Sequence, residues 1–309
     1  MKASFIYDQG TSPRREDGFI VGDGIFGVLD GVTMPHSPKY PATMFQGLSG
    51  GEMVVRTCER LFSPTFFLRV GTKVDDALRT AVLTINEEVG RTQWGFDLPL
   101  NDAGKLAGAT FAFAHLTPNY IDIVQAGVCM VIVEFTDDMH KDILVSPNQV
   151  RAHDTAMNAE IERIQREVAQ ELLGLELEEV PDDRRKQVRD EMWDRFYSTL
   201  VDARRRDANQ LESPQGYGVL NGQLELQDML WVQRFPREEV TTLLLFSDGI
   251  VPWSVMKRAT DIEVGRTILE GFQNYGLHGV LTQSRRTEES FAKISYENQP
   301  EATAIALVL

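Results

Sequence analysis

Two carboxylates in this chain each close an apolar run and are followed at once by glycine. Asp30 comes after Phe26-Gly27-Val28-Leu29 and precedes Gly31; Asp248 comes after Leu243-Leu244-Leu245-Phe246-Ser247 and precedes Gly249. A strand delivers a rigidly placed side chain at its end, and a glycine beside it lets a backbone carbonyl approach a cation closely. Oxygen ligands held on rigid elements are what the hard divalent cations Mg²⁺ and Mn²⁺ require. Taken alone, Asp30-Gly31 reads equally well as a hairpin turn. The repetition of the arrangement at Asp248-Gly249, with the acidic pair Glu16-Asp17 just upstream of the first copy, makes a carboxylate metal site the better reading.

The elements that would position these residues follow from hydrophobic periodicity. Short strand-like runs at 4–7, 18–21 and 25–29 are separated by Gly, Asp and Pro clusters, as in hairpins. Helical spacing is expected over 43–61 and 74–89, where Ala77, Leu78, Ala81, Val82 and Ile85 form one apolar stripe. Three β runs at 109–116, 120–126 and 129–135, joined by Pro118-Asn119 and Gly127, predict a meander. A charged helical hairpin is expected over 153–208, broken at Pro181-Asp182-Asp183, with Trp193 and Phe196 on an apolar face. Its charged face reads as solvated, with partner docking as the rival reading. Strand signals return at 216–220, 231–235 and 241–246, then helices at 261–275 and 288–293, then a last strand at 303–309. Strands at both ends and in the middle, with helices in pairs between them, predict an α+β fold: a four-layer α-β-β-α sandwich of two largely antiparallel sheets flanked by helices. The expectation is one domain over 1–309 containing the 153–208 hairpin.

Composition narrows the function classes. With 309 residues, 42% hydrophobic and 25% charged, the chain can bury a full core. A formal charge of -15 opposes binding to nucleic acid or an anionic membrane, since polyanionic surfaces are bound through Lys and Arg. Cys58 and Cys129 are too few for a disulfide framework, and no apolar run approaches the length of a spanning helix, so a cytoplasmic protein is expected.

The order of motifs resembles that of the protein phosphatase 2C family, the metal-dependent serine/threonine phosphatases. Six features occur in the family's order: Glu16-Asp17, Asp30-Gly31, Gly108-Ala109-Thr110 opening a central strand, the Ala126-Gly127 turn, Ser247-Asp248-Gly249 and Ala302-Thr303. The segment 209–220, with Gly216-Tyr217-Gly218-Val219-Leu220, resembles the family's strand before the Ser-Asp-Gly region. The resemblance covers nearly the entire chain. It implies hydrolysis of phosphoserine or phosphothreonine in a phosphoprotein substrate, with two ions, Mn²⁺ or Mg²⁺, at one end of a β-sandwich. By the same resemblance Asp30 bridges the ions, the Gly31 carbonyl holds the second, Asp248 holds the first, and Glu16 and Asp17 reach the second directly or through water. A bound divalent cation lowers the pKa of its water from about 15.7 toward about 7, which would make the attacking nucleophile.

The chain also departs from the family pattern. The final aspartate falls on Pro300, with Glu301 one residue nearer Thr303 as a substitute; the aspartate of the Gly-Asp-Ser turn falls on Val128. The phosphate-greeting arginine falls on Ser12, so Arg14 or Arg15 would have to serve, and no histidine follows Gly31 directly, although His36 lies nearby. Two rival functions follow: a catalytically reduced phosphoprotein-binding scaffold, or a phosphatase of small metabolites. Gly22-Asp23-Gly24-Ile25-Phe26-Gly27 matches a dinucleotide-binding pattern, but Val28-Leu29 continues as a strand where that motif needs a helix, so a hairpin turn is expected.

Overall fold

The computed structural model describes residues 1–22, 24–62, 76–136, 143–256, 258–295 and 299–309. Asp23, His140 and the expected helix start at Val74 lie outside the described residues. Among the described residues ten strands form two five-stranded sheets. The first sheet takes β1 (Lys2–Asp8), β10 (Ala302–Val308), β9 (Val240–Phe246), β6 (Met130–Phe135) and β7 (Ile143–Val145), in that order. The second takes β2 (Asp17–Gly22), β3 (Ile25–Val32), β4 (Gly108–Leu116), β5 (Tyr120–Ala126) and β8 (Trp231–Pro236). Every strand pair in both sheets is antiparallel.

Alternating side-chain direction makes the strands two-faced, and both faces of both sheets are covered. Phe26, Val28 and Ile121 of the second sheet meet Val131, Leu243 and Ile305 of the first in the central core. The other face of the second sheet, with Leu29 and Phe111, packs on α1 (Gly50–Leu61) and α2 (Ala77–Trp94). The other face of the first, with Ile132 and Leu244, packs on α5 (Asp261–Ser295) through Val264 and Ile268. The result is the α-β-β-α sandwich. Strands β4 and β6, buried on both faces along nearly their whole length, are therefore close to continuously apolar, which is why they read so clearly. The charged hairpin is α3 (Arg151–Leu173) and α4 (Asp182–Asp207), closed on its own small core around Val168, Val188, Met192 and Phe196. Among the described residues no helix is long and apolar enough to cross a membrane.

Four expectations change. The meander expected over 109–135 stops at β5: after the Gly127 turn, at φ 85°, β6 crosses to the first sheet and pairs with β9 and β7. The helix expected from 43 begins only at Gly50, because Gln46 and Gly47 take left-handed backbone angles, φ 53° and 89°, and Ser49 caps the helix by accepting from the Glu52 amide at 3.2 Å. That Ser-x-x-Glu spacing is a capping signal visible in the sequence. Segment 216–220 forms no strand; Leu220 bridges Ala109 and Tyr217 bridges Ala208 singly. The helices expected at 261–275 and 288–293 become α5, interrupted by Gly276 at φ 68°. Gly24, at φ 81°, makes the tight β2–β3 turn that excludes the dinucleotide reading.

The start of α1 lies directly against the end of β3. A Cβ on Gly51 would stand 2.8 Å from the Gly31 carbonyl carbon, and one on Gly31 would stand 2.4 Å from the Glu16 carbonyl oxygen. Both contacts are backbone and cannot yield cheaply. Gly51→Ala is expected to cost about 1–3 kcal/mol through overpacking, read as a drop of several degrees in Tm by scanning calorimetry.

Candidate metal centre

Register and topology bring the candidate ligands to one end of the sandwich. Asp17, first in β2, is the cross-strand partner of Asp30 near the end of β3, so the two carboxylates project from the same face. In the other sheet Phe246 pairs with Ala304, which leaves Asp248 just past the end of β9 and Glu301 just before β10. Glu16, Asp17, Asp30, Gly31, Asp248 and Glu301 line one cavity of about 270 Å³, with Ser12 and Pro13 also on its wall. Four chain segments that are remote in sequence meet there.

Hydroxyl groups and backbone amides fix the carboxylates. Asp17 is buried, and its Oδ2 accepts from Ser247 Oγ at 2.8 Å and Thr303 Oγ1 at 3.1 Å. Glu16 Oε1 accepts from the hydroxyls of both Thr33 and Ser49. Glu301 Oε2 accepts from the backbone amides of Glu16, at 2.8 Å, and Asp17, while its Oε1 is buried with no hydrogen-bond partner. The carbonyl of Glu301 packs on Gly249, where a Cβ would meet it at 1.7 Å. Only glycine after Asp248 permits the two strand ends to close this tightly.

The electrostatics are those of unneutralised like charges. Burial raises the Asp17 carboxyl to about 8, with Asp248 and Glu301 adding to the rise against the Ser247 and Thr303 hydrogen bonds. Asp30 is pushed well above the usual carboxylate range by burial and then by Asp17, Asp248, Glu301 and Glu16. Burial also raises Asp248 and Glu301. Each of these groups asks for positive charge beside it. The donor set is entirely oxygen, and the buried Oε1 of Glu301 makes no hydrogen bond among the described residues, so the residues present fit Mn²⁺ or Mg²⁺. Among the described residues no three Asp, Glu, His or Cys side chains are already gathered into a coordination shell. The carboxylates stand around the cavity wall.

The remaining sequence candidates lie elsewhere. Arg15 pairs with Glu59 at 3.0 Å and stacks over the Tyr7 ring at 5.0 Å, while Arg14 is exposed; neither lines the cavity. His36 is exposed and turned back on the Met34 carbonyl at 3.1 Å. Val128 is packed in the core between the first sheet and α5. Sequence reasoning missed Thr33 and Ser49, which hold Glu16. The capping spacing at Ser49 was a signal for the helix start, but nothing in the sequence reports the hydrogen bond across from it.

Comparison of the whole coordinates with solved structures finds a consistent set of neighbours. A bacterial serine phosphatase aligns at TM-score 0.53 and 13% identity, covering 100% of this chain and 97% of that one. Serine/threonine phosphatase Stp1 from Staphylococcus aureus aligns at TM-score 0.53 and 14% identity, over 100% and 94% of the two chains. Serine-threonine phosphatase 2C from Toxoplasma gondii does so at 0.53 and 14%, over 99% and 94%. This chain has the protein phosphatase 2C fold. The fold match spans both sheets and their helices, as the motif order implies. No protein-family model matches the sequence, and no curated protein matches it either. The catalytic domain of the serine/threonine phosphatase PstP, solved in complex with two manganese ions, aligns at TM-score 0.50 and 12% identity, over 100% of this chain and 98% of that chain.

The raised carboxylates make stability depend on pH with a definite sign. Asp17 titrates near 3.8 when unfolded and near 8 in the fold, so between those values the folded chain binds the extra proton and unfolding releases it. Without divalent cation, Tm is expected to fall as pH rises from about 4 to about 8 and then to level off. Mn²⁺ at pH 8 should recover the loss and at pH 5 should recover less. Calorimetric scans with and without the ion measure both arms.

Proposed function

We propose that this protein is a metal-dependent phosphatase that hydrolyses phosphoserine or phosphothreonine in proteins, with the whole chain 1–309 acting as one phosphatase domain that includes the 153–208 hairpin. The observation that carries the reading is the convergence of Asp17, Asp30, Asp248 and Glu301 from four strand ends on one cavity, with Glu301 Oε1 unpartnered. Asp30 and Asp248 would hold two ions, Mn²⁺ or Mg²⁺, with the Gly31 carbonyl. Glu16 and Asp17 would reach the ions directly or through water, and Glu301 would take the place that Pro300 leaves without a side-chain carboxylate. The solved PstP complex with two manganese ions, of the same fold, supports a two-ion site at this end of the sandwich. Ions held there would supply an acidified water and countercharge for the phosphoryl oxygens.

The chain's own groups do the rest. Ser247 and Thr303 pin Asp17, which lines the cavity, through Oδ2. Thr33 and Ser49 hold Glu16, and the backbone amides of Glu16 and Asp17 hold Glu301, so that the ligands are oriented before the ions arrive. Arg14 and Arg15 lie beside the cavity wall at Ser12 and Pro13 without lining it, so either would have to turn inward, Arg15 leaving Glu59, to meet an incoming phosphoryl group. Acidic net charge suits a protein partner over nucleic acid or membrane. Two buried free cysteines, Cys58 and Cys129, suit the cytoplasm.

Hydrolysis of p-nitrophenyl phosphate and of a phosphothreonine peptide by the purified protein tests the reading. Turnover should require Mn²⁺ or Mg²⁺ and fall by roughly 100-fold or more in Asp30→Asn, since even outer-sphere partners of a metal are worth 10–100-fold. Absence of turnover together with absence of Mn²⁺ binding would replace the enzyme with a phosphoprotein-binding scaffold.

A further inference from the structure

Arg204 stands on the last turn of α4, outside the cavity, yet it is connected to a cavity carboxylate by two hydrogen bonds in series. Its Nη1 donates to the Thr33 carbonyl at 2.9 Å. Thr33 follows β3 immediately, and its hydroxyl donates to Glu16 Oε1. The Gly51 amide at the start of α1 donates to the same hydroxyl oxygen at 3.4 Å. The chain after β3 is tied to α4 a second time further along: the Lys39 amide donates to Asp194 Oδ1 at 2.9 Å, and the Tyr40 ring stacks on Tyr197 with centroids 4.3 Å apart. The segment that carries Thr33 is therefore fixed by the helical hairpin and not by the sheet alone.

We infer that Arg204 is a positioning residue for the metal centre: by fixing the Thr33 peptide it aims the Thr33 hydroxyl at Glu16, and so ties metal affinity to the seating of the α3–α4 hairpin. The guanidinium restrains the Thr33 peptide and so the Cα from which the hydroxyl reaches Glu16, while the Gly51 amide bonds to that hydroxyl. A side chain two bonds from a metal ligand sets the ligand's orientation without touching the ion. Burial lowers the Arg204 pKa, while Tyr217 and Asp154 oppose the shift; a lysine keeps the charge here but not the planar fork.

The inference rests on the metal reading above, and the test separates the two. Mn²⁺ is titrated calorimetrically into the full-length protein, its Arg204→Gln, Arg204→Lys and Thr33→Val variants, and the double variant Arg204→Gln/Thr33→Val. Arg204→Gln is expected to weaken Mn²⁺ binding roughly tenfold, with Arg204→Lys recovering part of it. Thr33→Val should weaken binding similarly, and the double variant should be no weaker than the worse single, since both cut one series connection. Val133→Ala, in the core between the two sheets and outside the hairpin, should lower Tm and leave Mn²⁺ affinity unchanged. Wild-type affinity in Arg204→Gln, or losses that add in the double variant, would overturn the inference while leaving the metal reading intact. If Arg204→Gln does not fold, unchanged affinity in Thr33→Val overturns it. No Mn²⁺ binding by the wild-type protein overturns both.

Discussion

Carboxylates that repel one another at the meeting point of two sheets are the constraint on which the rest of this structure turns. Burial and like charge both favour their neutral forms, and nothing among the groups that most strongly shift Asp30 is a cation. Such a cluster persists only because the sheets that carry it are held by a large apolar core. Val28, Phe111, Leu243 and Leu245, all fully buried, lie in the layers between which the strand ends emerge. The core supplies the stability, and the carboxylates draw on it.

The satisfied polar groups show how this opposition is contained. The hydrogen bonds that hold Asp17, Glu16 and Glu301 are donated by neutral groups: hydroxyls of Ser247, Thr303, Thr33 and Ser49, and backbone amides of Glu16 and Asp17. Neutral donors orient a carboxylate without cancelling its charge. A lysine or arginine in the same positions would have fixed the geometry and removed the attraction for a cation. Arg15, drawn onto Glu59 and Tyr7, illustrates the separation.

Much of this was legible in the sequence because it is local. Strands β3 and β9 announce themselves as apolar runs, and their terminal Asp-Gly pairs announce the ligands; the antiparallel α+β sandwich followed from the order of the runs. What could not be read depends on contacts between remote segments. Thr33, Ser49 and Glu16 belong to three separate stretches, and only the packing of α1 on β3 unites them. Strand β7, with three residues, is too short for a period to register, and it forms because β6 offers an open edge. Segment 216–220 has strand-like composition, but it sits where only single bridges can form.

The β2–β3 hairpin gives one of these features a wider meaning. Asp17 and Asp30 stand opposite each other because the pairing runs unbroken back to Gly22 and Ile25 at the turn. In a pleated ladder, a slip of one residue exchanges the two faces of a strand. The tight turn beside Gly24, at the far end of the hairpin from the carboxylates, therefore acts as a gauge for them. A change of loop length that shifted the register by one residue would leave every ligand in the sequence and still send Asp17 and Asp30 to opposite sides of the sheet. In this architecture loop length, as much as residue identity, carries the information that makes the site.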